Sequence, residues 1–190
     1  DAISLERMVR AVEKVRERLL RAAAALEAAG VPYAIVGGNA VAAWVSTVDE
    51  SAARNTRDVD VLIRRADFER VRAALEGVGF VYRHVASIDM FLDGPDARAG
   101  DGVHLLFAGE KVRPGDLTVN PEVTDAERTA SFRVLSLPAL VRVKLTVYRD
   151  KDRTHLRDMI GVGLIDGSWV DRLPPELGGR LQALLDDPEG

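Results

Sequence analysis

Cysteine is absent from the 190 residues, which excludes disulfides and thiolate metal sites and fits a reducing compartment. Histidine occurs only three times, too sparsely for the multi-histidine ligand sets usual in metal phosphohydrolases. No apolar run reaches the roughly 18 residues that span a bilayer, and no signal-peptide pattern is present. Nor is there a basic excess. The chain carries 26 Lys and Arg against 30 Asp and Glu, a formal net charge of −4. That balance argues against a general DNA- or RNA-binding surface and leaves room for a local basic groove. What is present is 47% hydrophobic residues, enough to bury one good core. The chain opens on Asp1 rather than Met. The expectation is a soluble, cytoplasmic protein of one domain over residues 1–190. Its parts would be an N-terminal helix (1–30), a core (31–135) and a helical C-terminal segment (136–190).

Leu5, Met8, Val9, Val12, Val15, Leu19, Ala23 and Leu26 recur at steps of three and four, predicting an amphipathic helix over residues 3–29. Gly30 and Pro32 end it. Glutamates interleave with the arginines on its other face, which marks a solvated surface. Ala34, Ile35 and Val36 then predict a short strand, followed by a Gly37-Gly38 turn and a helix from near Asn39. Glycine lets a phosphate approach the backbone without a Cβ in the way. The helix start offers unpaired N–H groups and the positive end of its dipole. Asn39 either caps that helix or contacts the ligand.

A second strand carries Asp58 and Asp60 among Val59, Val61, Leu62 and Ile63. Strand residues two apart share a face, roughly 6.6–7 Å apart. Each carboxylate raises the cost of ionising the other, so the pair calls for a cation between them. That pattern points to a divalent-metal site. Arg54 and Arg57, on either side of Thr56, either neutralise the pair as salt bridges or hold phosphate oxygens in a guanidinium fork. The Thr56 hydroxyl would add a neutral hydrogen bond.

Downstream, the pattern predicts a helix over residues 66–76, strands over 80–84, 87–92 and 103–107, and a polar loop over 110–129. A short strand over 132–135 and a helix opened by Ser136 and Pro138 follow. The Gly- and Asp-rich stretch between Leu92 and Val103 receives no chemistry. From Arg142 to Arg157 six Lys and Arg face two Asp, a reversal of the overall acidic balance. A closing helical segment over 169–185 shows no chemistry.

Gly37-Gly38 opening a helix, followed by Arg54, Thr56, Asp58 and Asp60 in an R-x-T-x-D-x-D arrangement, resembles the nucleotidyltransferase superfamily of DNA polymerase β. Within it the chain is most similar to bacterial minimal nucleotidyltransferases and the AbiEii-like toxin group. The likeness runs in order over residues 31–158. It implies an α/β (α+β) fold, with a mixed sheet holding Asp58 and Asp60, helices packed on one side, and a C-terminal helical segment over the nucleotide. It implies transfer of a nucleoside monophosphate from an NTP to a hydroxyl of tRNA, protein or a small molecule such as an antibiotic. A toxin role would bring an antitoxin partner. By resemblance, Asp58 and Asp60 bind Mg²⁺ (or Mn²⁺) and the Gly37-Gly38 turn receives the nucleotide phosphates, with Asn39, Arg54 and Thr56 as further candidate contacts. Lys144 is the implied phosphate contact on the helix, with Arg149, Lys151 and Arg153 behind it and Asp152 and Asp158 orienting these cations. Two ions roughly 3.5–4 Å apart suit such a reaction, and Mg²⁺ is commonly held by one or two carboxylates plus phosphates.

The superfamily's third carboxylate is missing, and His104 stands in its slot. Three readings follow. His104 is a base or a softer metal ligand; or Asp89 on the neighbouring strand takes over; or the acceptor step is impaired, leaving a non-catalytic nucleotide-binding module.

Overall fold

The computed structural model describes residues 4–190. Seven strands are present: β1 (Ala34–Val36), β2 (Val59–Ile63), β3 (Val81–Val85), β4 (Ile88–Leu92), β5 (Val103–Phe107), β6 (Ala126–Arg128) and β7 (Arg133–Leu135). They form one mixed sheet in the order β3-β4-β5-β2-β1-β7-β6. Central β2 lies antiparallel to β1 and parallel to β5. Val59, Val61 and Ile63 point to one face and are fully buried there. They pack with Leu19, Ala23 and Leu26 of α1 (Leu5–Ala28) and with Val71 and Leu75 of α3 (Phe68–Glu76). Ala34, Val36 and Leu62 face the other way, into a second core. It is filled by α2 (Gly37–Ser46), α4 (Leu137–Val147), α5 (Asp150–Gly161) and α6 (Pro175–Asp186).

Helices therefore cover both sides of the sheet, not one as expected. The reason is legible in β1 and β2 themselves. Runs such as Ala34-Ile35-Val36 and Val61-Leu62-Ile63 are apolar on both faces, so both must be covered. Asp60 alternates with Val59 and Val61 and thus emerges on the α2–α4–α5 side, where the basic segment lies. A second correction concerns the polar loop expected over 110–129. Its last part forms β6, an edge strand pairing antiparallel with β7. Three residues, Ala-Glu-Arg, are too few to carry an alternating pattern.

The amphipathic stripe of α1 is only half used. Leu19, Ala22, Ala23 and Leu26 are buried, whereas Leu5, Met8, Val9 and Val12 are 73%, 62%, 47% and 43% exposed. The helix simply runs past the edge of its own core. Ile3, the expected helix start, lies outside the described residues. Among the described residues no helix is long and apolar enough to cross a membrane.

An α-helical segment of about 12 residues is marginal in water without tertiary cover. Amides of residues 5–15 should therefore exchange with deuterium on the order of 100-fold faster than those of residues 19–28. Equal protection along all of α1 in dilute solution would show that the first half is covered by something.

Candidate functional site

Parallel pairing of β2 with β5 sets Asp60 directly opposite His104. Asp58 sits in the bend one residue before β2 and points to the same side. The three side chains bring one ligand atom each to within 4.8 Å of one another. His104 Nδ1 lies 3.7 Å from Asp58 Oδ2 and 3.6 Å from Asp60 Oδ1. Its other nitrogen, Nε2, lies 2.8 Å from the carbonyl oxygen of Ala99. A carbonyl can only accept, so Nε2 carries the hydrogen. In the neutral ring the Nδ1 lone pair is then turned toward both carboxylates.

The glycines have separate jobs. Gly37 is the first residue of α2 and has φ +66°. A Cβ there would lie 2.8 Å from Asp60 Cγ and fall inside the carboxylate, so no side chain fits. Gly38 backs onto Thr56, where a Cβ would meet Oγ1 at 3.1 Å. Thr56 in turn donates its hydroxyl to Asp58 Oδ1 at 3.1 Å. The helix starts at Gly37 itself rather than near Asn39. Asn39 does not cap the helix: its Nδ2 donates to the Asp58 carbonyl at 2.9 Å and holds the approach to β2 in place. No side chain caps α2, so its first N–H groups stay open toward Asp60 and the space above it.

Burial, then the neighbouring Asp58 charge, pushes the Asp60 carboxyl up from 3.8 to about 6. Burial acts on Asp58 in the same sense, yet Lys151, its own backbone N–H, His104 and Thr56 together hold it below the usual carboxylate value. Lys151 Nζ, on half-exposed α5, reaches to 3.8 Å from Asp58 Oδ2.

Above the cluster lies a cavity of about 370 Å³, walled on the helical side by Lys144, Arg149, Lys151 and Asp152. Lys144 is only 3% exposed, and its Nζ donates to Asp152 Oδ1 at 2.9 Å. Asp152 Oδ2 accepts the Arg149 backbone N–H at 3.1 Å and Arg149 Nε at 2.9 Å, which closes the first turn of α5. Lys144 thus reaches the cavity wall with its charge already paired. Burial lowers its pKa, and Asp152 opposes that shift. Arg54 does not line the cavity. It forks onto Asp158 of α5 with two bonds of 3.0 Å. Arg57 forks onto Asp101 at 3.1 and 2.8 Å, and Arg153 pairs with Asp150. Neither Arg54 nor Arg57 touches the Asp58–Asp60 pair.

Asp89 lies outside the cluster. Its neighbour Met90 is the register partner of His104, so strand alternation turns Asp89 to the other face. There its Oδ1 accepts from the Tyr82 hydroxyl at 2.6 Å and pairs with His84 Nδ1 at 2.9 Å. It still borders the cavity, because β4 and β5 pair only at Met90–His104 and Phe91–Val103 and part beyond that point. The opening between Ile88-Asp89 and residues 105–107 belongs to the same cavity.

Sequence reasoning missed the support of His104. The Ala99 carbonyl and Asp101, which accepts the Arg57 fork, lie in the Gly- and Asp-rich stretch, where residue types alone signal no chemistry. A backbone carbonyl leaves no mark in residue type, and a pair 44 positions apart leaves no local pattern.

Two outcomes follow from this charge arrangement. A raised carboxyl pKa means that ionised Asp60 burdens the fold: the cost is absent below about pH 4 and complete above about pH 6. With chelator present, Asp60→Asn should gain about 1–3 kcal/mol at pH 7.5 and lose that gain toward pH 4. A loss of stability at pH 7.5 would contradict this assignment. Asp152→Ala strands buried Lys144 without its carboxylate and should cost about 3–5 kcal/mol in denaturant unfolding. Lys144→Met, which leaves Asp152 with Arg149, should cost clearly less.

No family model matches the sequence, and no curated protein matches it. Solved structures do. The solution structure of the antibiotic-resistance factor ANT(2'')-Ia overlays with a TM-score of 0.52 at 14% identity, covering 95% of this chain and 92% of the other. A crystal structure of ANT(2'')-Ia with adenylyl-2''-tobramycin overlays more loosely, with a TM-score of 0.44 at 16% identity over 93% and 97% of the two chains. That of JHP933 from Helicobacter pylori gives 0.40 at 13% identity over 99% and 95%. At such identities the likeness speaks for architecture alone, and the first overlay carries it: this chain shares the fold of that structure, a mixed sheet flanked by helices.

Proposed function

We propose that the protein is a divalent-metal-dependent nucleotidyltransferase that moves a nucleoside monophosphate from an NTP to a hydroxyl group. The observation that carries this reading is the convergence of Asp58, Asp60 and His104 beside the uncapped, glycine-cleared start of α2. The donor set fits a divalent ion, because two carboxylates and one imidazole nitrogen converge without an internal partner that satisfies all three. When bound, such ions supply positive charge to the entering and leaving oxygens of an in-line displacement.

The chain's own groups do the rest. Asp58 and Asp60 hold the metal-bearing triphosphate, and the first N–H groups of α2 receive phosphate oxygens at the positive end of the helix dipole. Lys151 swings from Asp58 to the phosphates, with Arg149 beside it. Lys144 contributes charge from its fixed, paired position. The acceptor hydroxyl oxygen attacks the α-phosphorus, a new P–O bond forms, the bond to the leaving pyrophosphate breaks, and the hydroxyl proton passes to solvent. The acceptor reaches the site through the gap between β4 and β5, where the cavity is open. The acceptor is a hydroxyl of tRNA, protein or a small molecule, and the overlay with an antibiotic-resistance factor adds aminoglycoside alcohols to those to be tested.

One observation favours a second reading. His104 occupies the slot of a carboxylate, so the same site could bind nucleotide without completing transfer. Incubation with each NTP labelled at the α-phosphate, Mg²⁺ or Mn²⁺, and pools of RNA, protein and hydroxylated antibiotics separates the two. Wild type should label one pool, and Asp58→Asn and Asp60→Asn should reduce labelling on the order of 100-fold or more. Metal-dependent nucleotide binding with no label transferred would favour the binding module, and free phosphate release would point to hydrolysis.

A further inference from the structure

We propose that the Asp58–Asp60–His104 centre selects a first-row transition-metal dication, Mn²⁺ or a later member of the row, over Mg²⁺. This rests on reading the cluster as a metal centre and goes beyond it by naming the class of ion. Three observations converge on His104 as a true nitrogen ligand. Its Nδ1 stands 3.6–3.7 Å from a carboxylate oxygen on each aspartate, too far to be spent in a hydrogen bond to either. Its Nε2–H is fixed on the Ala99 carbonyl at 2.8 Å. A metal-ligating histidine almost always donates its second ring N–H in this way, which sets the tautomer and raises the basicity of the ligating nitrogen.

The third observation is that the carbonyl itself is held. The turn over Ala99–Asp101 is gripped by the Arg57 fork on Asp101. It enters β5 through Gly102, where a Cβ would lie 2.9 Å from the Phe91 carbonyl oxygen. The ring therefore cannot drift without unseating that turn. A histidine present only to neutralise two carboxylates would need Nδ1 protonated and would gain from a direct bond to one of them; the geometry offers neither carboxylate such a bond.

The chemistry of the donors then decides the ion. Mg²⁺ is a hard cation that demands near-octahedral oxygen coordination. An imidazole nitrogen favours ions further along the first transition row, while carboxylates keep Mn²⁺ well accommodated. Replacing one carboxylate oxygen by Nδ1 therefore shifts preference away from Mg²⁺.

The test uses the full chain freed of metal by chelation and titrated with MnCl₂ or MgCl₂ alone, then with a nonhydrolysable ATP analogue present. Dissociation constants are compared for wild type and His104→Asp, and bound Mn²⁺ is examined by pulsed EPR for nitrogen coupling. Wild type should show a directly coordinated ¹⁴N that is missing from His104→Asp. Its Mn²⁺-over-Mg²⁺ preference should exceed that of the variant on the order of tenfold or more. If Mn²⁺ binds in an Asp58- and Asp60-dependent way without ¹⁴N coupling, or if the two proteins share one preference ratio, the selectivity inference is overturned while the metal centre stands. If neither ion binds in either condition, the metal-centre reading falls as well. If His104→Asp does not fold, the wild-type EPR spectrum together with the wild-type ratio of Mg²⁺ to Mn²⁺ dissociation constants decides the question: absent ¹⁴N coupling, or a ratio near one, overturns the inference.

Discussion

Mutual repulsion between the Asp58 and Asp60 carboxylates is the constraint around which this end of the sheet is arranged. At an effective dielectric of about 20, two unit charges about 4 Å apart interact by about 4 kcal/mol. That is a large share of a typical net stability of about 5–15 kcal/mol. The surroundings contain the repulsion without abolishing it. Asp60 is pushed toward its neutral form by burial and by Asp58, while Lys151 and the Thr56 hydroxyl help keep Asp58 ionised. Gly37 leaves the space that a side chain would have filled, and α2 turns its positive end toward the pair. Every one of these features becomes more favourable once a cation and a phosphate chain occupy the space.

The basic residues around the cavity differ in how firmly they are already paired. Lys144, Arg149 and Asp152 form a network whose carboxylate accepts three hydrogen bonds and which fastens α5 to α4. Lys151, one residue before Asp152, has only a loose contact at 3.8 Å and a half-exposed side chain. Arg54 and Arg57 bind distant acids, Asp158 and Asp101, and so tie the segment before β2 to α5 on one side and to the His104 turn on the other. The arginines close to the aspartates in sequence are thus paired elsewhere, and the cation nearest Asp58 is a lysine from a helix far along the chain.

This division also sets how much could be read from residues alone. Asp58, Asp60 and the glycines were legible because their signals are local: alternation along one strand, and a helix opened by two residues without side chains. His104 was legible only as an oddity on a strand, and the parallel register with β2 is what gives it a place. The phosphate roles of Arg54 and Lys144 rest on the family resemblance and on the suitability of their cations. Asp152 stands close enough in sequence to be named as a partner for the lysine, whereas the pairing of Arg54 with Asp158, 104 positions away, leaves no local pattern. The same limit explains the exposed first half of α1. Periodicity names an apolar face, but only the extent of the sheet decides how much of it is covered.

The claim on which everything else depends is that both carboxylates and the imidazole grip one cation bearing a triphosphate. Crystals grown with Mn²⁺ and a nonhydrolysable NTP test it directly through the anomalous signal of manganese. The account predicts a peak within coordination distance of Asp58, Asp60 and His104 Nδ1, with phosphate oxygens at the start of α2. Nucleotide bound elsewhere, or the two aspartates still neutralised by Lys151 and His104 with no metal between them, would contradict it.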